Sequence, residues 1–141
     1  MIAIGCDHGG YDLKEALIKH LDEQGIAYRD FGCFDKTSCD YPDFGKPAAQ
    51  AVADGTCEKG ILICTTGIGM SIVANKIHGV RAALCSDMLS AELTRQHNDA
   101  NVLVLGAGVV GPMLGLRIAD IFLTTDFSGE TKHQRRVGKI E

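Results

Sequence analysis

Five short apolar runs alternate along the chain with stretches of helical periodicity, and that alternation constrains the fold more than any other feature. The runs are MIAIGCD (1–7), IAYRDFG (26–32), GILICTT (60–66), VRAALCS (80–86) and NVLVLGA (101–107). GILICTT is apolar without a break, the pattern of a strand covered on both faces in a parallel sheet. Between the runs, residues 11–25 place Leu13, Ala16, Leu17, His20 and Leu21 on one face and end at Gly25, as a helix should. A second helix is expected over 40–55, its entry marked by Pro42 or Pro47. Others are expected over about 69–77, over 87–98 and from 107 through about Leu123, with a polar, helical tail over 128–141. Strand and helix in strict alternation, plus one extra C-terminal helix, call for an α/β fold: a doubly wound, five-stranded parallel sheet with right-handed crossovers. No linker or shift in composition divides it, so residues 1–141 are expected to form a single domain.

Composition excludes several functions. A net charge of −4, with basic residues scattered until KHQRR (132–136), is not a nucleic-acid footprint. Apolar runs are interrupted every few residues, so no stretch reaches the roughly 20 apolar residues of a membrane span. The start lacks the basic segment of a secretion signal, and the six cysteines are expected to be free thiols in a reducing cytoplasm. No CxxC pair is present, which argues against a structural zinc site.

In doubly wound sheets the functional site lies beyond the carboxyl ends of the strands. That filter selects Asp7 and His8, the segment Cys64–Gly69, Ser86 and Asp87, and Gly106–Gly108. GAGVVG (106–111) matches a dinucleotide fingerprint, yet that fingerprint needs a following strand with an acidic residue about 20 positions on. Asp126 has the spacing without a strand, so tight strand-to-helix turning is the favoured reading. CTTGIGMS (64–71) is not a Walker loop, because GK[ST] is absent. Its glycines let backbone approach a ligand, and the N-terminus of the following helix directs amides and a positive dipole at it. The same field makes a thiolate more available. Position alone leaves Cys64 open between a packed thiol and a reactive base. RQHND (95–99) reads as a solvated helix end in preference to a cluster of functional groups, and KHQRR equally as a solvated tail or an anion clamp.

Taken in order, GCDHGG (5–10), DYPDFG (40–45), GILICTTGIGMSIVANK (60–76), GVRAALCSD (79–87), SAELTRQHNDANVLVLG (90–106) and KHQRRVGKI (132–140) resemble one family over nearly the whole chain. It is the type B ribose-5-phosphate isomerases, grouped with the galactose-6-phosphate and allose-6-phosphate isomerases. The resemblance implies a Rossmann-like homodimer, with a tetramer as the alternative. Each active site is built at the subunit interface, with no metal or cofactor. It implies Cys64 as catalytic base, Thr66 as the hydroxyl that assists proton movement, and the amides of Gly67, Ile68, Gly69, Met70 and Ser71 as holders of the enediolate. His97 matches the residue that opens the sugar ring, with Asn98 beside it. Asp7, His8 and Tyr41 match sugar-binding residues, and Lys132 and Arg136 match phosphate ligands.

The chemistry suits these residue types. Aldose–ketose isomerisation needs ring opening, removal of the C2 proton and delivery of a proton to C1. A thiolate can serve as the base, amides can hold enediolate charge, and a histidine titrates in the range that ring opening needs. Three positions depart from the family: Gly108 and Lys132 stand where arginine is common, and Thr65 where glycine is usual. The expected activity is interconversion of ribose 5-phosphate and ribulose 5-phosphate. Its rivals are a hexose 6-phosphate isomerase and, in another class, a non-catalytic nucleotide-binding module using GAGVVG.

Overall fold

All five apolar runs become strands in the computed structural model, which describes residues 1–141: β1 (Ile2–Cys6), β2 (Tyr28–Asp30), β3 (Lys59–Cys64), β4 (Ala82–Leu84) and β5 (Val102–Gly106). They form one parallel sheet in the order β2-β1-β3-β5-β4. Two strands are shorter than the apolar runs suggest. Both lie at the sheet edges, where short strands discourage pairing with another chain.

The three inner strands are buried on both faces, and their period of two sorts the core into two layers. Ile2, Ile4, Cys6, Ile61, Ile63, Leu103 and Leu105 face one way. They meet Leu13, Leu17 and Leu21 of α1 (Tyr11–Gln24), Ala91 of α4 (Met88–Asn98), and Ile118, Ala119 and Phe122 of α5 (Ala107–Thr124). Ala3, Leu62, Cys64, Val102 and Val104 face the other way, against α2 (Tyr41–Ala53) and α3 (Ile68–Asn75). The sheet is therefore doubly wound, as the alternation requires. The polar tail forms α6 (Thr131–Gly138) against α4.

Local chemistry sets the element ends. Gly25 closes α1 in the left-handed region at φ 68°, and the Asp87 carboxylate accepts from the Ser90 amide at 2.7 Å to cap α4. Pro42, not Pro47, marks the entry to α2; Pro47 lies inside the helix. α5 is interrupted at Gly111 (φ 67°, ψ 177°), so GAGVVG contributes one helical turn and then stops. With a mean hydropathy of 1.4 over 18 residues, α5 is by length and composition apolar enough to cross a membrane, although glycines, Pro112, Arg117 and Asp120 interrupt it. Its buried apolar residues, Ile118, Ala119 and Phe122, belong to the sheet core.

One buried group had no sequence signal. Lys14 is fully buried, yet its ammonium reaches both Asp30 carboxylate oxygens, at 2.8 and 3.0 Å, and so ties α1 to the β2 edge. A buried charge persists only when paired in this way.

Candidate active site

The chain leaves β1 toward one edge of the sheet and leaves β3 toward the other, so a crevice opens between their carboxyl ends. Two turns meet there. After β1, the Asp7 amide donates to the Ile63 carbonyl at 3.2 Å, and Asp7 Oδ1 accepts from Gly9 and Gly10 at 3.0 and 3.1 Å. Asp7 is thereby buried and fixed. His8 is exposed, and its Nδ1 accepts the Cys39 amide at 3.2 Å. The ring proton therefore sits on Nε2, available as a donor.

After β3 the chain turns through Gly67 at φ 79°, a conformation that favours glycine, into α3. Cys64 is buried, and its Sγ accepts the Gly67 amide at 3.1 Å. Thr66 Oγ1 accepts from the Ile68 amide at 3.3 Å, and the Ser71 hydroxyl donates to the Ile68 carbonyl at 3.0 Å. The amides of Gly69 and Met70 have no partner within the chain. They are the orphan donors of a helix N-terminus, aimed where an anion would be held. Met70 contributes its amide only, because its side chain is fully buried under α2. Tyr41 lies against Gly69 so closely that a Cβ there would stand 2.9 Å from the ring. The sulfur, the hydroxyl, the free amides and the phenol thus form one wall.

Four other cysteines are poor bases. Burial pushes the Cys85 thiol up to about 11 and raises those of Cys6, Cys39 and Cys57.

The remaining predicted residues gather elsewhere. At the end of α4 the His97 ring packs 4.5 Å from that of His133, which is buried and shares a 2.6 Å hydrogen bond with the Ser128 hydroxyl. Burial, then the neighbouring charge of His97, lowers the pKa of His133. A cleft of about 400 Å³ is lined by His97, Asn98, His133, Arg136, Val137 and Ile140. Lys132 stays outside it, 3.6 Å from Glu130. Arg95 corrects the reading of RQHND as a solvated end: it is buried, donating to the Thr125 carbonyl at 3.0 Å and pairing with Asp99 at 2.9 Å.

These two groups lie toward opposite edges of the sheet. A helix between parallel strands runs back against them, and the 11 residues of α4 cover about 16 Å, close to the height of the sheet. His97 therefore sits toward the amino-terminal edge, opposite the Cys64 turn, and none of the larger clefts is lined by both groups.

Gly106 of GAGVVG serves packing. A Cβ on Gly106 would stand 2.5 Å from the Thr66 carbonyl oxygen, so this turn must pass close to the one after β3. Asp126 lies in no strand.

The family model described as Ribose/Galactose Isomerase matches residues 2–140. Ribose-5-phosphate isomerase B of Escherichia coli (strain K12) is 48% identical over 99% of this chain and 93% of its own length. A D-erythrulose-4-phosphate isomerase of Pectobacterium atrosepticum is 44% identical over 91% of this chain and 85% of its own. Among solved structures, ribose-5-phosphate isomerase B of Clostridium thermocellum superposes with a TM-score of 0.96 at 50% identity, covering 99% of this chain and 93% of that one.

Proposed function

Because the chain belongs to the ribose/galactose isomerase family, we propose that it is an aldose–ketose isomerase that interconverts ribose 5-phosphate and ribulose 5-phosphate. The observation that carries this reading is the Cys64 sulfur, held 3.1 Å from the Gly67 amide and followed in the same turn by two amides without partners. The Cys64 thiolate removes the proton from C2 of the open-chain aldose. The electron pair moves into the C1–C2 bond, and the carbonyl oxygen takes the negative charge. The Gly69 and Met70 amides hold the resulting cis-enediolate, in a place where fixed dipoles act without reorganisation. Thr66 passes a proton between the oxygens on C1 and C2, and the thiol returns a proton to C1. Reactant and product are isomers, so no oxidant, cofactor or metal enters the balance. His8 Nε2–H, Asp7 and Tyr41 border the sugar.

Ring opening and phosphate binding fall to His97, Asn98, Arg136 and Lys132, supplied by a second copy of the chain. The separation of Cys64 from His97 supports that assignment. So does an apolar surface that includes Ile68, Ile72, Leu84, Met88 and Leu89, exposed by 38% to 63%. The functional unit in this reading is a cytoplasmic homodimer of carbohydrate metabolism, with a pair of dimers as the alternative. A nucleotide-binding role for GAGVVG is not favoured, because the packing of Gly106 and the break at Gly111 account for its glycines.

The test is a panel of aldose 5- and 6-phosphates assayed for ketose formation with EDTA present. Ketose is expected from ribose 5-phosphate at a rate that the chelator leaves unchanged. A thermal shift with NAD, together with no turnover of any sugar phosphate, would sink the reading.

A further inference from the structure

His97 is exposed at the end of α4, and neither of its ring nitrogens has a hydrogen-bond partner within the chain. Both nitrogens are therefore free for a substrate. The same freedom leaves the angle of the ring unset, because the last side-chain torsion of histidine is broad. The ring is held through its face instead. His133 lies 4.5 Å away between centroids, with the two planes tilted by 36°, an offset arrangement that aromatic rings favour.

His133 can act as a fixed surface because it is itself locked. It is 7% exposed, and its Nδ1 shares a 2.6 Å hydrogen bond with the Ser128 hydroxyl. Ser128 Oγ already accepts the Glu130 amide at 3.2 Å, so its own proton is free to go to Nδ1, and the ring proton then sits on Nε2. The Ser128 amide in turn donates to the Gln96 carbonyl at 3.1 Å. The loop that locks His133 is thereby tied to the residue beside His97. Burial, and the charges of His97, Lys132 and Arg136 against that of Glu130, lower the pKa of His133, so the ring stays neutral and does not oppose a proton on His97.

We propose that His133 is the positioning residue for His97: its ring face, locked by Ser128, sets the angle at which the His97 nitrogens meet the sugar during ring opening. The proposal rests on the isomerase reading and deepens it. No proton passes through His133, whose Nδ1 is engaged by Ser128; the proton transfers of ring opening stay with His97. A different role, as a ligand of the phosphate, would draw on the cleft that His133 shares with Arg136, and it separates from positioning in the kinetics.

The experiment uses the full chain with His133→Ala, His133→Phe and Ser128→Ala. Phenylalanine keeps a ring face and loses the nitrogens. With ribose 5-phosphate, His133→Ala should lower kcat by about tenfold or more and leave KM within about twofold of the wild type, because His97 is misplaced while phosphate binding is not. His133→Phe should recover kcat to within about threefold of the wild type, and Ser128→Ala should fall between the two. If His133→Ala does not fold, Ser128→Ala decides: kcat equal to the wild type would overturn the lock. A raised KM at unchanged kcat would make His133 a phosphate ligand, and His133→Phe no better than His133→Ala would remove the role of the ring face; either overturns the proposal. The second readout needs no turnover. Carbon-13 relaxation at Cε1 of His97 should report an ordered ring in the wild type and in His133→Phe, and a mobile one in His133→Ala. Equal order in all three would overturn the positioning role. A wild type inactive on every sugar phosphate would overturn the isomerase reading, while the relaxation data would still decide whether His133 holds His97.

Discussion

The amide of Gly67 donates to the sulfur of Cys64 at 3.1 Å across a left-handed turn, so that sulfur and the amides that open α3 are built as one unit. β3 ends with Cys64 facing α2 and α3, the layer that also carries Tyr41, and the turn then exposes the Gly69 and Met70 amides. The proposed base and the proposed holder of the charge it creates are thereby fixed by one stretch of backbone, Cys64–Met70.

Replacing Cys64 by alanine removes the base and leaves the amides. Exchange of the C2 proton of ribose 5-phosphate into solvent should fall by about 10²- to 10⁴-fold, the usual contribution of a positioned base. Exchange is read by NMR in deuterated buffer, alongside circular dichroism to check the fold. Exchange at the wild-type rate would move the base to another residue.

Gly67→Ala should cost both stability and rate. Its φ of 79° is unfavourable for alanine, and the new Cβ would run into the Leu84 side chain and lie 3.1 Å from the Gly106 amide. A strained position of this kind costs on the order of 1–3 kcal/mol. Urea unfolding should show a lowered midpoint, and kcat should drop because the amide on Cys64 moves. A midpoint equal to the wild type would mean that the turn carries no such constraint.

Much of this was legible in the sequence for a simple reason. Strand period and strand-end position are local properties, so the inner strands, the two core layers and the placing of Asp7, His8, Cys64 and Thr66 could be read from neighbouring residues. The lengths of β2 and β4 could not, because an edge strand ends where its single neighbour stops pairing. Thr65 was equally opaque: its fit depends on Gly9 and Gly108, which only the fold brings together. The burial of Lys14, Arg95 and His133 was hidden as well, since each charged or polar group is held by partners distant in sequence or around a helix end. The distance between Cys64 and His97 follows from a helix running back against its strands, a geometric step that residue types alone do not supply.

That separation yields a direct test of the proposed shared site. Cys64→Ala and His97→Asn should each be nearly inactive as homodimers on the cyclic sugar. Mixed and reassociated, they should regain activity, because a hybrid joins the intact Cys64 of one chain to the intact His97 of the other. Random pairing gives half hybrids, each with one whole site of two, so recovery should approach about a quarter of the wild-type rate. No recovery from a mixture shown to exchange subunits would place both residues in one protomer's site.

His133 makes stability depend on pH, with a sign that its surroundings fix. Burial and the charges of His97, Lys132 and Arg136 lower its pKa from the ordinary 6.5, while Glu130 pulls the other way and is outweighed. The folded state therefore prefers the neutral ring, and the unfolded chain takes up the proton first. The contribution is complete above about pH 6.5 and is lost as the pH falls through the window below it. Melting temperatures measured from pH 7.5 to 5.5 should decline more steeply in the wild type than in His133→Gln, which has no ring to protonate. Equal slopes would mean that the ring takes up its proton alike in both states, and that the pocket between α4 and α6 does not select the neutral form.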